Sequence, residues 1–153
     1  MTKSRDLALS LASAADEAAP FIATADGGRR NAALLAIATR LVKATDDLLT
    51  ANQFDLDAAK QSGMPKAMQD RLTLTKKSIV PMADGVKQVA ALPDPVGQII
   101  DGGVRPNGLR IKRIRAPLGA ILIIFESRPN VTVDAASLCL KSGTSCILRG
   151  GKE

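Results

Sequence analysis

The chain has 153 residues, 46% hydrophobic and 24% charged, which is ordinary globular composition with enough apolar material for one core and excludes a disordered segment. Three Phe with neither Tyr nor Trp offer few rings for base stacking, and two Cys with no His argue against zinc, haem, a disulfide framework and a His-activated nucleophile. The net charge of +6 is uneven, with 12 basic and 11 acidic side chains in residues 1–100 against 9 and 4 in residues 101–153, so the excess serves either a solvated basic face or a phosphate-rich ligand.

Lys3 and Arg5 ahead of the apolar stretch from Leu7 to Ala14 have the outline of a signal peptide, but Asp6 and two serines interrupt it. Leu7, Leu11, Ala14, Ala18 and Phe21 recur at helical spacing, so an amphipathic helix is the simpler account. After Asp26-Gly27-Gly28, Leu34, Ile37, Leu41 and Leu48 predict a long, mostly buried helix, widened by Leu35, Ala38, Val42 and Leu49. Residues 56–60 continue it toward Gly63, Pro65 opens a helix carrying Met68 and Leu72, and Thr75 caps another through Ile79, Met82, Val86 and Val89, with Pro81 in its first turns or bending it. No segment reaches the length of a membrane span, and no helix carries a stripe of Arg and Lys suited to duplex DNA.

Leu92-Pro93-Asp94-Pro95 ends the helical part. Val96 to Ile100 and Leu109 to Arg115, separated by Asp101-Gly102-Gly103 and Pro106-Asn107-Gly108, predict a two-stranded arm. Its alternation slips at Lys112-Arg113, which predicts a bulge or bend there. The run from Ala120 to Phe125 reads as a strand buried on both faces of a parallel sheet, followed by Glu126 to Asn130, a helix from Val131 to Lys141, a break at Ser142-Gly143-Thr144 and a second strand from Ser145 to Leu148. The fold class is therefore α/β: a helical N-terminal half (1–95), a β-hairpin arm (96–117) and the first βαβ unit of a Rossmann-like parallel sheet (118–153), truncated. A lone parallel pair leaves its faces and edges uncovered, so the chain reads as the first part of a larger ligand-binding enzyme.

Both parallel strands end in loops suited to an anion. Arg128, held before Pro129, suits a carboxylate or phosphate, unless it pairs with Glu126 as part of the fold; Asn130 or Thr132 caps the helix beyond. Arg149-Gly150-Gly151-Lys152 offers backbone amides between two cations, although it is neither a P-loop nor a Gly-x-Gly-x-x-Gly turn. Cys139 and Cys146 read as packing residues.

Phe125-Glu126-Ser127-Arg128-Pro129-Asn130-Val131-Thr132 together with residues 148–153 resembles the γ-glutamyl phosphate reductase (glutamate-5-semialdehyde dehydrogenase) family of the aldehyde dehydrogenase superfamily. Asn52 with Asp55, residues 70–74, Leu92-Pro93-Asp94-Pro95-Val96-Gly97, Asn107-Gly108-Leu109 and Pro117-Leu118-Gly119 extend the resemblance upstream. It implies an oxidoreductase of proline biosynthesis in the cytoplasm, using NADPH to reduce γ-glutamyl phosphate through a cysteine that lies beyond Glu153 and matches neither Cys139 nor Cys146. Arg149, with Gly150, Gly151 and Lys152, then contacts the cofactor, and Ser127, Arg128 and Asn130 the substrate, with no catalytic residue in this stretch. The arm resembles the superfamily's oligomerisation arm, which implies a homo-oligomer when complete, with neither nucleic acid nor a membrane as partner. The alternative is a stand-alone basic module that binds a phosphorylated metabolite or acts on the full enzyme through its subunit interface.

Overall fold

The computed structural model describes residues 2–151. In chain order these form α1 (Thr2–Thr24), α2 (Gly27–Lys43), α3 (Thr45–Gln61), α4 (Lys66–Leu72), α5 (Lys76–Ala91), β1 (Ile99–Val104), β2 (Arg110–Ile114), β3 (Ala120–Ile124), α6 (Pro129–Lys141) and β4 (Ser145–Arg149). The fold is α/β, as its sequence pattern predicts.

The core lies where α2, α5 and α6 meet. Leu34 and Ala38 of α2 are buried against Ala83, Val86 and Ala90 of α5, with Ile37, Leu41, Val89, Val133 and Leu140 packed around them. α2 and α5 carry their own start signals: the Asp26 side chain accepts from the Arg29 amide at 2.8 Å to open α2, and Thr75 and Ser78 form a reciprocal capping box on α5. Pro81 sits on the exposed side of the second turn of α5, where its missing N–H costs the core nothing.

The long helix expected from Leu34 to Leu48 is instead two, broken at Ala44, and Leu35 and Val42 are exposed. The turn re-aims the chain so that α3 packs with α4 and only lightly with α2 and α5. In α1 the buried side chains are Ala15 and Ala19, with Ala18 and Ile22 half-buried, while Leu7, Leu11 and Phe21 face outward. Small residues win that face because α1 lies directly on β4, where the Ser145 hydroxyl donates to the Ala15 carbonyl at 2.7 Å.

β1 and β2 form an antiparallel hairpin, exposed throughout. Asp101-Gly102-Gly103 lies within β1 rather than in a turn, and the reversal is made at Arg105 to Gly108, where Gly108 takes a φ of 84° that favours glycine. The register shifts between Ile99 and Asp101, opposite Ile114 and Arg113; the irregularity expected at Lys112-Arg113 falls at that level, with the additional residue, Ile100, on the facing strand.

β3 and β4 are parallel and in register from Ala120 beside Ser145 to Ile124 beside Arg149. The expectation of β3 buried on both faces is corrected: Ile121 and Ile123 are half-buried, but Leu122 and Ile124 are exposed, because α1 and β4 are its only substantial neighbours among the described residues. No helix among the described residues is long and apolar enough to cross a membrane.

Candidate functional site

Because β3 and β4 run parallel, their carboxyl ends open together, the end at which open parallel sheets hold ligands. There they face the corner between α3 and α4. A cleft of about 910 Å³ lies between, with Phe125, Glu126, Arg149, Gly150 and Gly151 on the sheet side and Met64, Pro65 and Met68 among its apolar wall.

The corner that makes the wall is built by local rules. α3 ends where Gly63 adopts φ 72°, its amide donating to the Lys60 carbonyl at 3.1 Å while the Met64 amide reaches the Ala59 carbonyl at 3.0 Å. Pro65 then starts α4. Buried Asn52 fastens the far end of that helix, donating to the Leu72 carbonyl at 2.9 Å and accepting from the Leu74 amide at 2.7 Å.

Arg149 is exposed at the end of β4, and its Nη1 donates to the carbonyls of Gly150 (2.7 Å) and Gly151 (3.0 Å). The guanidinium thus holds the glycine turn in place. Lys152 lies outside the described residues.

The loop after β3 places the second predicted group. Ser127 is buried and has φ 47°, a left-handed conformation that few non-glycine residues adopt. Arg128 is exposed and takes the N-cap position of α6, whose first residue is Pro129; neither Asn130 nor Thr132 caps the helix, because it begins ahead of both, and Asn130 instead donates to Asp134 at 3.3 Å. Among the described residues no ion pair joins Arg128 to Glu126. Ser127, Arg128 and Asn130 do not line the large cleft, whereas Glu126 does.

α2, α6 and the loop after α5 are joined by a charge cluster in which Arg30 and Lys141 are buried and Asp94 is open to solvent on one side. The Arg30 Nη2 donates to both Asp94 oxygens at 2.7 and 2.6 Å, its Nη1 donates to the Ala25 carbonyl, and its Nε is buried with no partner among the described residues. Buried Lys141 donates to Asn31 Oδ1 at 2.8 Å and to the Ala90 carbonyl at 2.9 Å. Burial pushes the Asp94 carboxyl up, but the Val96 amide, the Arg30 hydrogen bonds and charge, and Lys141 together bring it below its usual value. A Cβ at Gly27 would run into the Asp94 carboxylate and push it from this position. The sequence marked Asp94 only as one member of a Pro-flanked motif; its partners 64 and 47 residues away carried no local signal.

Cys139 is buried, and its thiol is pushed up to about 11, first by burial and then by neighbouring Cys146. It stays protonated near neutral pH, which fits a packing role.

The helical layer, the arm and the parallel strand pair with its cleft at the strand ends make this the opening portion of a Rossmann-like α/β fold. The chain is 53% identical over 148 residues to gamma-glutamyl phosphate reductase of Carboxydothermus hydrogenoformans, a match that takes in 97% of this chain and 36% of the relative. It is 50% identical over 143 residues to that of Opitutus terrae, 94% of this chain and 34% of the relative. Among solved structures, gamma-glutamyl phosphate reductase of Thermotoga maritima matches with a TM-score of 0.88 at 43% identity, covering 94% of this chain and 34% of that one. The Saccharomyces cerevisiae enzyme matches with a TM-score of 0.85 at 34% identity, covering 94% and 36%. No protein-family model matches. The chain spans about a third of the length of the curated relatives it matches, and is homologous to the N-terminal portion of gamma-glutamyl phosphate reductase.

Proposed function

We propose that this chain is the N-terminal portion of an NADPH-dependent reductase that converts L-glutamyl 5-phosphate to L-glutamate 5-semialdehyde and phosphate, in the cytoplasm, as a step of proline biosynthesis. The observation that carries the reading is the agreement of the backbone with a gamma-glutamyl phosphate reductase, TM-score 0.88 over 94% of the chain, with a cleft at the carboxyl ends of the parallel strands.

The residues of that cleft fit a dinucleotide. A cation at the end of β4 suits a 2′-phosphate, glycines beside it allow close backbone approach, and the wall of Met64, Pro65 and Met68 suits an adenine ring. Arg149, Gly150, Gly151 and Lys152 would hold the cofactor, which supplies hydride when bound. Ser127, Arg128 and Asn130 would meet the phosphorylated substrate; the exposed guanidinium of Arg128, free of ion pairing among the described residues, suits an anionic oxygen. Buried Cys139 and half-buried Cys146 keep packing roles in this reading, and the nucleophilic cysteine that the resemblance implies is neither of them. The exposed arm, bearing Ile99, Val104, Leu109 and Ile111, joins copies of the enzyme into a homo-oligomer.

The test is NADPH oxidation by the full-length enzyme with γ-glutamyl phosphate. Arg149→Ala is expected to raise the KM for NADPH about tenfold or more with a smaller change in kcat, and Arg128→Ala to lower kcat/KM for the acyl phosphate by a similar factor. Activity that is absent, or that is indifferent to γ-glutamyl phosphate, would contradict the proposal.

A further inference from the structure

The register that sets Ile124 beside Arg149 carries both strands past their last rung side by side. The Phe125 amide donates to the Arg149 carbonyl at 3.1 Å, and Glu126 is the next residue. Glu126 and Arg149 carry opposite charges, are both exposed and line the same cleft. No ion pair joins them among the described residues, and the guanidinium bonds the carbonyls of Gly150 and Gly151 instead.

A carboxylate outside the ion pairs of the described residues, in a cleft that also carries a cation, accepts hydrogen bonds from hydroxyls and repels phosphate. Dinucleotide sites choose between cofactor forms by these means: an acidic side chain accepting from the ribose 2′-hydroxyl favours the unphosphorylated form, and a cation favours the 2′-phosphate. We propose that Glu126 is a specificity-determining residue that opposes Arg149, so that the cleft tolerates the unphosphorylated dinucleotide and its preference for the 2′-phosphorylated form is held below what Arg149 alone would give. The inference rests on the proposed function, which places a dinucleotide in this cleft. Both side chains are exposed, so their replacement leaves the core untouched.

The experiment is calorimetric titration of the full-length reductase carrying this segment with NADP+ and with NAD+, alongside kcat/KM for NADPH and NADH. Glu126→Gln is expected to raise the ratio Kd(NAD+)/Kd(NADP+) about tenfold, the scale of one charge-assisted hydrogen bond and one like-charge contact, with the kinetic ratio moving the same way. Glu126→Asp, which keeps the charge, should stay near the wild-type ratio, and Arg149→Ala should lower it. An unchanged ratio in Glu126→Gln, in a protein that binds both cofactors, overturns the inference and leaves the proposed function standing. A wild-type enzyme that binds neither dinucleotide overturns the proposed function and this inference with it.

Discussion

Asp94 ties the end of the helical layer to a guanidinium that is only 3% exposed, and its own side chain is 38% exposed. Removing the carboxylate leaves Arg30 buried without its counter-charge. Asp94→Asn is therefore expected to cost about 2 kcal/mol in urea denaturation, less than for a fully buried pair because water reaches one partner. The pH dependence follows from the direction of the shift: the folded carboxyl titrates below its usual 3.8, so its contribution is fully present above that value and is lost as pH falls through the lower folded value. The gap between wild type and Asp94→Asn should thus be widest near neutrality and close in acid; a constant gap would show that the charge is not what Asp94 contributes. At this scale the sequence was legible in capping residues such as Thr75, whose partner lies three residues away. It was silent on Arg30, Lys141 and Asp94, whose contacts depend on how three distant helices meet.

α4 is seven residues long and packs chiefly on α3, so its placement depends on Asn52. Asn52→Ala would strand the Leu72 carbonyl and the Leu74 amide, at a cost of about 2 kcal/mol, and should speed hydrogen exchange at Leu74 relative to amides within α5. Equal protection in both proteins would show that α4 is held by other contacts. The arm makes the opposite case: every residue of β1 and β2 is exposed. Ile111→Glu is expected to shift the melting temperature of dilute protein little while weakening self-association of the full enzyme, measured by sedimentation; an unchanged oligomer would remove the arm from the interface. Element types were legible because period and punctuation are local properties, as at Gly63-Met64-Pro65. The break at Ala44 was not, because neither glycine nor proline marks it.

Across the whole molecule, the apolar surface of the parallel pair stands open. Leu118, Leu122 and Ile124 are 78%, 58% and 71% exposed. The 153-residue chain alone is accordingly expected to bind a hydrophobic dye and to associate as its concentration rises, and Leu122→Lys with Ile124→Lys to reduce both effects; dye binding unchanged by the double substitution would place the sticky surface elsewhere. The continuous apolar run of β3 led to an expectation of burial on both faces. That reading describes a strand inside a wider sheet, whereas the described chain gives β3 one strand neighbour. The strand-end cleft was half legible: Arg149 and its glycines were singled out from the sequence, but the wall from α3 and α4 and the presence of Glu126 within it required the fold.

The central claim concerns chemistry at an acyl phosphate, and its most direct measurement is the phosphate released by the full-length enzyme for each NADPH oxidised in the presence of γ-glutamyl phosphate. The account expects one phosphate per NADPH, with both stopping when either substrate is withheld. NADPH oxidation without matching phosphate release, or none at all, would contradict it.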